Sequence, residues 1–466
     1  MVAKEGAMKP TSITADNSVF VLLSFEGPDL YSMAGGLGVR VTNLSWLLAE
    51  MGFPTHLFFV GDPKLKGEEV LQDGKLTLHR WCQWLSRYYP KGVYQGEKDK
   101  YADFSRSIPP YVIEQVIKPA VQGNRMVIIL GEEWQTSEAM WRLGDQLHKM
   151  GLRDRAVLFW NANNTFGFDQ IDWERLTSTT TITTVSRYMR QIMQGRRLNP
   201  LVIPNGIPRS SLEPVDELAS ARLRSVFRAD FLLTKVGRWD PAKRWDMAFA
   251  AVARLKTKEF KTVLLALGGM EAYGGEMWQY AHSLGLTIQE VKIRGNPLPG
   301  YLQALRAADE ADILSLRFYC PPELLRLLYH ASDAVLANSS HEPFGLVGLE
   351  AMAAGGVAFT GGTGEDYAIA LHNAIVLDTT DPREIEDYLL YLKTHPSEAE
   401  RILRNARETA SFFTWQEVLK NLLHKLEYQA RNQGLLATRT VPVPEPRLPE
   451  HPEPALPDTV AVAVVE

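Results

Sequence analysis

Short apolar runs recur along this chain, each separated from the next by a segment of helical spacing, and this restricts it to an α/β architecture. Val19–Leu23, Thr55–Val60, Met126–Leu130, Ala156–Trp160 and Thr181–Val185 are rich in β-branched and aromatic residues. Continuous apolar runs of this length suit strands covered on both faces. Between several of them lie Val41–Met51, Val112–Lys118 and Glu138–Met150, whose apolar positions fall on one helical face. Strand, helix and strand in repetition predict a parallel sheet flanked by helices. The pattern then restarts. Phe231–Val236, Thr262–Leu267, Val291–Arg294, Ile313–Leu316, Ala334–Ala337 and Val357–Phe359 read as strands. Met247–Leu255, Met277–Leu284, Pro322–His330 and Leu349–Ala354 read as the helices between them. Two α/β units of similar size follow, and ligands of such sheets bind beyond the strand C-termini.

The break between the units falls at Ile203-Pro204-Asn205-Gly206-Ile207-Pro208, where two prolines and a glycine interrupt any regular element. The expected organisation is a flexible N-terminus (1–17), a first domain (18–208), a second domain (209–410), a helix (411–434) and a disordered tail (435–466). Glu384–Thr394, Ser397–Phe412 and Gln416–Arg431 read as helices. From Val441 to Pro457 there are seven prolines in 17 residues with interspersed glutamates, a composition unable to bury a core. Tyr88–Tyr101, rich in Tyr, Lys and Gly, reads as a loop.

Charge and cysteine content narrow the function class. Fifty Lys and Arg against 55 Asp and Glu give 50 − 55 = −5, a poor match to general nucleic-acid binding. Two cysteines, Cys82 and Cys320, make no disulfide framework and suggest a reducing compartment. Met1–Ser18 lacks the apolar stretch of a secretory signal, and no apolar run approaches the ~20 residues of a spanning helix. The expectation is a cytoplasmic protein without a transmembrane segment. No Asp-x-Asp occurs and no histidine pair has ligand spacing, so no metal site is expected.

Ala337–Gly355 is the most informative stretch. It follows a strand and opens a helix, and it holds two glutamates, Glu342 and Glu350, eight positions apart. A helix starting near Gly345 turns its first free N–H groups and its positive dipole end outward, where an anion such as a diphosphate is attracted. Glycine there lets the backbone approach the ligand. A carboxylate accepts paired hydrogen bonds from vicinal diols, so Glu350 suits a ribose and Glu342 a second polyol. Arg238 and Lys243 follow the first strand of the second unit and offer two cations to a departing diphosphate without a metal.

The double-glutamate string, "HEPFGLVGLEAMAAG", resembles the signature of retaining glycosyltransferases of the family-4 type, relatives of glycogen and sucrose synthases. Other stretches agree in order. Gly237–Arg244 resembles the family's G-R-x-x-x-x-K segment, and Val202–Ile207 its interdomain V-I-P-N-G-I/V. Thr184–Tyr188 resembles its T-V-S strand end, and Ala34–Gly38 its first glycine loop. Glu132–Thr136 resembles D-W-H/Q-T, and Gly361–Glu365 the loop closing the donor site. The resemblance covers roughly residues 18–430 and implies a GT-B fold. In that fold two Rossmann-like domains face across a cleft and a C-terminal helix crosses back to the first.

It also implies roles. Glu342, Lys243 and Arg238 are the implied catalytic residues. Gly36, Leu37, Trp134, Gln135, Asn161, Asn205, Phe344, Gly345, Leu346 and Glu350 are the implied substrate-binding residues. The implied partners are a nucleotide sugar (UDP-, ADP- or GDP-linked) and a carbohydrate or other hydroxyl acceptor, with neither metal nor cofactor. Two positions depart from the family. Met33 or Ala34 stands where glycogen synthases carry a lysine. Asn161 stands where the family has a histidine, and an asparagine can hydrogen-bond a sugar but cannot shuttle protons. Asn161 motivates the alternative, a catalytically inactive nucleotide-sugar or glycan-binding protein on the same fold.

Overall fold

A computed structural model describes residues 9–293, 298–308 and 311–438 of the chain. The first sheet contains β1 (Ser18–Leu23), β2 (Thr55–Val60), β3 (Glu68–Leu71), β4 (Leu76–Trp81), β5 (Met126–Glu132), β6 (Ala156–Ala162), β7 (Thr181–Thr184) and β8 (Leu201–Val202). Their spatial order is β3-β4-β2-β1-β5-β6-β7-β8. The second sheet contains β9 (Phe231–Val236), β10 (Thr262–Leu267), β11 (Ile288–Val291), β12 (Ile313–Leu316), β13 (Ala334–Ala337), β14 (Ala358–Thr360) and β15 (Ile375–Val376), ordered β11-β12-β10-β9-β13-β14-β15. Every pairing is parallel except β3 with β4. β1 and β9 are buried along nearly their whole length, as strands covered on both faces must be.

The differences from the sequence reading are local. The strand expected at Val291–Arg294 lies earlier, at Ile288–Val291. β3 and β4 carry charged residues and escape an apolar-run criterion. Arg80 on β4 is nonetheless buried, because its guanidinium meets Asp29 at 2.9 Å. The expected loop Tyr88–Tyr101 runs into a helix, Glu97–Val112. There Lys100 is fully buried, its ammonium donating to Tyr31 Oη (2.7 Å) and the Val93 carbonyl (2.9 Å).

The helix Trp415–Asn432 buries Trp415, Val418, Leu419, Leu422 and Leu426, a helical stripe. These side chains share one core with Phe20, Leu22, Leu57, Ile128 and Phe159 of the first sheet. The chain therefore returns from the second unit to the first. Residues 9–17, expected to be flexible, lie against this helix: Ile13 N–H donates to Glu427 (3.2 Å) and Arg431 donates to the Thr11 carbonyl (3.0 Å). At the other end of the described chain, Ala437 N–H donates to the Pro10 carbonyl at 2.9 Å. The rest of the tail expected to be disordered, 439–466, lies outside the described residues.

The two crossings between the units run side by side. Ile207 N–H donates to Phe413 O (2.9 Å), and Trp415 N–H donates to Ile207 O (3.1 Å). A side chain at Gly206 would place its Cβ 2.8 Å from the Trp415 ring, so glycine is required there by close approach. Replacing Trp415 with alanine removes the largest side chain at this junction. Denaturant unfolding of the Trp415→Ala variant is expected to show a loss of about 3–5 kcal/mol.

Candidate functional site

In each sheet the strand order reverses direction beside its first strand, between β1 and β5 and between β9 and β13. Loops at such switch points are left uncovered by crossover helices. The sequence-derived site residues lie on these loops or just beyond them. After β9, the Asp240 carboxylate accepts from Ala242 N–H (2.8 Å), and a turn at Pro241–Lys243 presents Lys243. After β13, Ser340 N–H donates to the Ala242 carbonyl at 2.8 Å, tying the second loop to the first. This tie brings Lys243 Nζ and Glu342 Oε1 to 2.8 Å, with both side chains only partly buried. Arg238 is exposed at the end of β9. Its carbonyl accepts from Trp245 Nε1 (2.9 Å), and among the described residues its guanidinium has no ion pair.

Gly345 sits at φ +81°, a left-handed conformation that opens the helix Leu346–Ala354. A Cβ at Gly348 would lie 2.7 Å from Tyr367 Oη, so this first turn is packed to its limit. No side chain caps the helix, and its first N–H groups lack helical acceptors. Tyr367 donates its hydroxyl to the Gly345 carbonyl. Phe344 is 3% exposed and packs against Tyr367 and Phe413, a core position. Glu350, one turn into the helix, accepts from the buried Tyr329 hydroxyl at 3.4 Å. Burial and the neighbouring Glu342 push its carboxyl up to about 7.

The first lobe holds a second group. Glu26, just beyond β1, turns one oxygen onto the glycine loop, accepting from Ala34 (3.1 Å), Gly35 (2.8 Å) and Gly38 (3.0 Å) N–H. Its other oxygen accepts from Tyr94 Oη at 2.5 Å. Gly36 and Leu37 open the helix Gly36–Glu50, with Gly36 exposed and the Leu37 side chain buried in the core. At the end of β5, Glu132 meets Arg40 Nε at 3.1 Å, both side chains about 2–3% exposed. Glu132 also accepts from Asn161 Nδ2 and Asn163 Nδ2, each at 2.9 Å. Arg40 reaches on to Asn205 Oδ1 at 2.9 Å, and Thr183 donates to Asn161 Oδ1 at 2.9 Å. Both ends of the Asn161 amide are therefore engaged within the protein, and Asn205 ties the linker to the first lobe.

Glu133 occupies φ +68° and is buried. Its carboxylate accepts from Asn163 N–H (2.5 Å) and Asn164 N–H (3.2 Å), yet burial dominates and pushes it up to about 8. Beside it, Gln135 donates to Glu97 at 2.9 Å, while Gln135 Oε1 and Trp134 Nε1 are buried without a partner. Among the described residues no three His, Cys, Asp or Glu side chains gather as a metal site, and no helix is long and apolar enough to cross a membrane.

Sequence reasoning missed Glu26, Arg40, Tyr94, Tyr329 and Tyr367. Glu26 carried a signal, an acid just after a strand and before glycines; the others are joined to the site only by the fold. The two lobes meet through Arg187, whose N–H donates to Asp366 at 3.1 Å. One prediction follows from Glu133. Its proton is held in the folded state up to about pH 8 but released near 4.5 when unfolded. It therefore stabilises the fold below that window, and the contribution is lost as pH rises through it. Glu133→Gln, which mimics the neutral acid, is expected to gain stability relative to wild type between pH 5 and 8 in urea melts; parallel curves would refute the assignment.

Comparison with known proteins bears on the fold and on the second lobe. Residues 225–409 match the family model "Glycosyl transferases group 1". A D-inositol 3-phosphate glycosyltransferase from Geodermatophilus obscurus is 26% identical over 263 residues, covering 54% of this chain and 53% of that protein. The chain thus matches about half the length of that curated relative. Among solved structures, a sucrose-phosphate synthase from Thermosynechococcus elongatus superposes with TM-score 0.61 at 20% identity, over 89% of this chain and 99% of that one. The catalytic domain of Starch Synthase IV from Arabidopsis thaliana, bound to ADP and acarbose, superposes with TM-score 0.62 at 16% identity, over 89% of this chain and 100% of that one. With two parallel sheets, a returning helix and these neighbours, the chain has the GT-B fold and carries a glycosyl transferases group 1 domain at residues 225–409.

Proposed function

We propose that this protein is a retaining glycosyltransferase that moves a hexosyl group from a UDP-, ADP- or GDP-linked sugar to a hydroxyl of a carbohydrate or other acceptor, without a metal. The observation that carries this reading is the Lys243–Glu342 pair at 2.8 Å beside an uncapped helix N-terminus. Lys243 and Arg238 offset the charge of the departing diphosphate, and the N–H groups at Gly345 and Leu346 cradle it. Glu350 holds the ribose and Glu342 the transferred hexose, each by paired hydrogen bonds to hydroxyls. Two protein cations and a helix end supply the charge compensation that a divalent ion supplies elsewhere.

Gly36 and Leu37 approach from the first lobe, where the N–H groups not taken by Glu26 face the donor. Trp134 and Gln135 contribute their unpartnered Nε1 and Oε1 to the acceptor side. The amide of Asn161 acts through Glu132 as part of the wall of that pocket. Transfer needs a water-poor site, or the donor is hydrolysed, and closure of the lobes about Asn205–Gly206 supplies it. Support for the reading comes from the group 1 family match and from the ADP and acarbose named with the superposed Starch Synthase IV.

A thermal-shift panel of UDP, ADP and GDP is expected to raise Tm selectively for one base. Assays with the corresponding labelled sugars should then show transfer. Lys243→Ala and Glu342→Ala are each expected to lower kcat/KM by roughly 10²–10³-fold. Nucleotide binding without turnover on any donor would favour the non-catalytic alternative, and wild-type kinetics in both variants would remove these assignments.

A further inference from the structure

One charged side chain lies where an apolar one is expected. Lys235 is the penultimate residue of β9, two residues before the loop of Arg238 and Lys243, and is 2% exposed. Its Nζ donates to the Leu336 carbonyl (3.1 Å) and to Asn338 Oδ1, and lies 5.2 Å from the Trp245 ring centre. Leu336 belongs to β13, and Asn338 opens the loop that carries Glu342. Asn338 is itself fully buried, its Nδ2 near Met247 Sδ at 3.5 Å. One lysine thus ties the strand-end loop of Glu342 from beneath, while Ser340 and Ala242 tie it to the Lys243 loop from the side.

Two acceptors meet the two N–H donors of a neutral amine. A third donor, present only in the ammonium, has just the face of the Trp245 ring. Burial foremost and the like charge of Lys243 hold Lys235 down to about 7. The charged groups that face it are Lys243 and Arg244, which lower it further, and Glu342 and Asp246, which raise it. A diphosphate seated against Lys243 brings negative charge into the same field and favours the ammonium.

We propose that Lys235 is a positioning residue of the donor site: a buried amine that fixes the Glu342 loop and takes a proton from solvent when a nucleoside diphosphate binds above it. This inference rests on the donor site proposed above. Binding then couples to uptake of one proton, so affinity falls as pH rises past the free value of Lys235, by at most about tenfold per pH unit. A residue with only a packing role moves affinity equally at every pH.

The test is calorimetric titration of the full chain with UDP, ADP and GDP from pH 6 to 9, in buffers of differing ionisation enthalpy. It is run for wild type, Lys235→Met and Lys235→Arg. The wild type is expected to take up a fraction of a proton near pH 8 and to weaken severalfold between pH 7 and 9. Lys235→Met is expected to bind more weakly at pH 6.5 and to lose this dependence. Lys235→Arg, charged throughout, is expected to bind as tightly as wild type at low pH with a flat profile. Wild-type binding without proton uptake, or the same pH profile in all three proteins, overturns the role of Lys235 while leaving the donor site standing. Failure of wild type to bind any of the three nucleotides overturns both. Glu350, in the same site, also titrates at about 7 and the diphosphate ionises in the same range, so the contribution of Lys235 is read as the difference in proton count between wild type and the permanently charged Lys235→Arg. A misfolded Lys235→Met protein therefore does not shield the proposal.

Discussion

The reversal of strand order within each parallel sheet is the constraint from which the site follows. Crossovers that leave β1 and β9 in opposite directions leave the C-terminal ends of neighbouring strands uncovered. Backbone groups at those ends have no sheet partner and no helix above them. Both lobes fill this position with loops of glycine and charged residues, and both place a helix N-terminus beside it. The lobes differ in how that N-terminus is satisfied. In the first, Glu26 supplies a carboxylate that accepts from three N–H groups. In the second, no side chain caps the helix, and Glu342, three residues before Gly345, is turned to Lys243. The same physics gives one lobe an internal anion and leaves the other able to receive one.

Buried charge is concentrated around these loops and is paired wherever it is deep. Arg40 with Glu132, and Arg80 with Asp29, lie at a few per cent exposure with near-ideal distances. Such pairs add little net stability against an apolar replacement, because desolvation offsets the attraction, but losing one partner strands the other charge. Their yield here is geometric. Arg40 spans from the first helix to Glu132 at the end of β5 and to Asn205 in the linker. Through Glu132 it also fixes Asn161 and Asn163. The ends of β5 and β6 and the linker between the lobes are thereby parts of one hydrogen-bonded network. An asparagine suits position 161 in this setting, since its two amide ends match one acceptor and one donor.

The alternating runs, the restart after residue 208 and a helix over Gln416–Arg431 were legible in the sequence. Burial on both faces demands apolar runs, and a buried helix face demands a 3.6-residue spacing. Most central strands fall within a residue or two of their expected positions, and the double-glutamate string lies where a strand end meets a helix. What pattern could not supply was pairing between distant residues. The edge strand Glu68–Leu71 and its neighbour Leu76–Trp81 carry charge because Arg80 pairs with Glu69 across the two strands and with Asp29, a partner 51 positions away. Lys100 sits in a stretch that reads as a loop because the partner that buries it, Tyr31, is 69 positions away.

The sequence by itself determined the architecture of two α/β lobes and the residue types at the strand ends, because hydrophobic periodicity and backbone breaks are local properties. Only the tertiary structure decided which of those residues meet. Lys243 and Glu342 are separated by 99 positions in number yet form one ion pair, because the loops after β9 and β13 leave adjacent strands and are bonded to each other. Phe344 fell into the core and Asn161 into a closed network for the same reason: side-chain direction is set by what packs against it. Electrostatic character followed suit. The raised carboxyls of Glu133 and Glu350 arise from burial, a property no residue carries until the chain has folded around it.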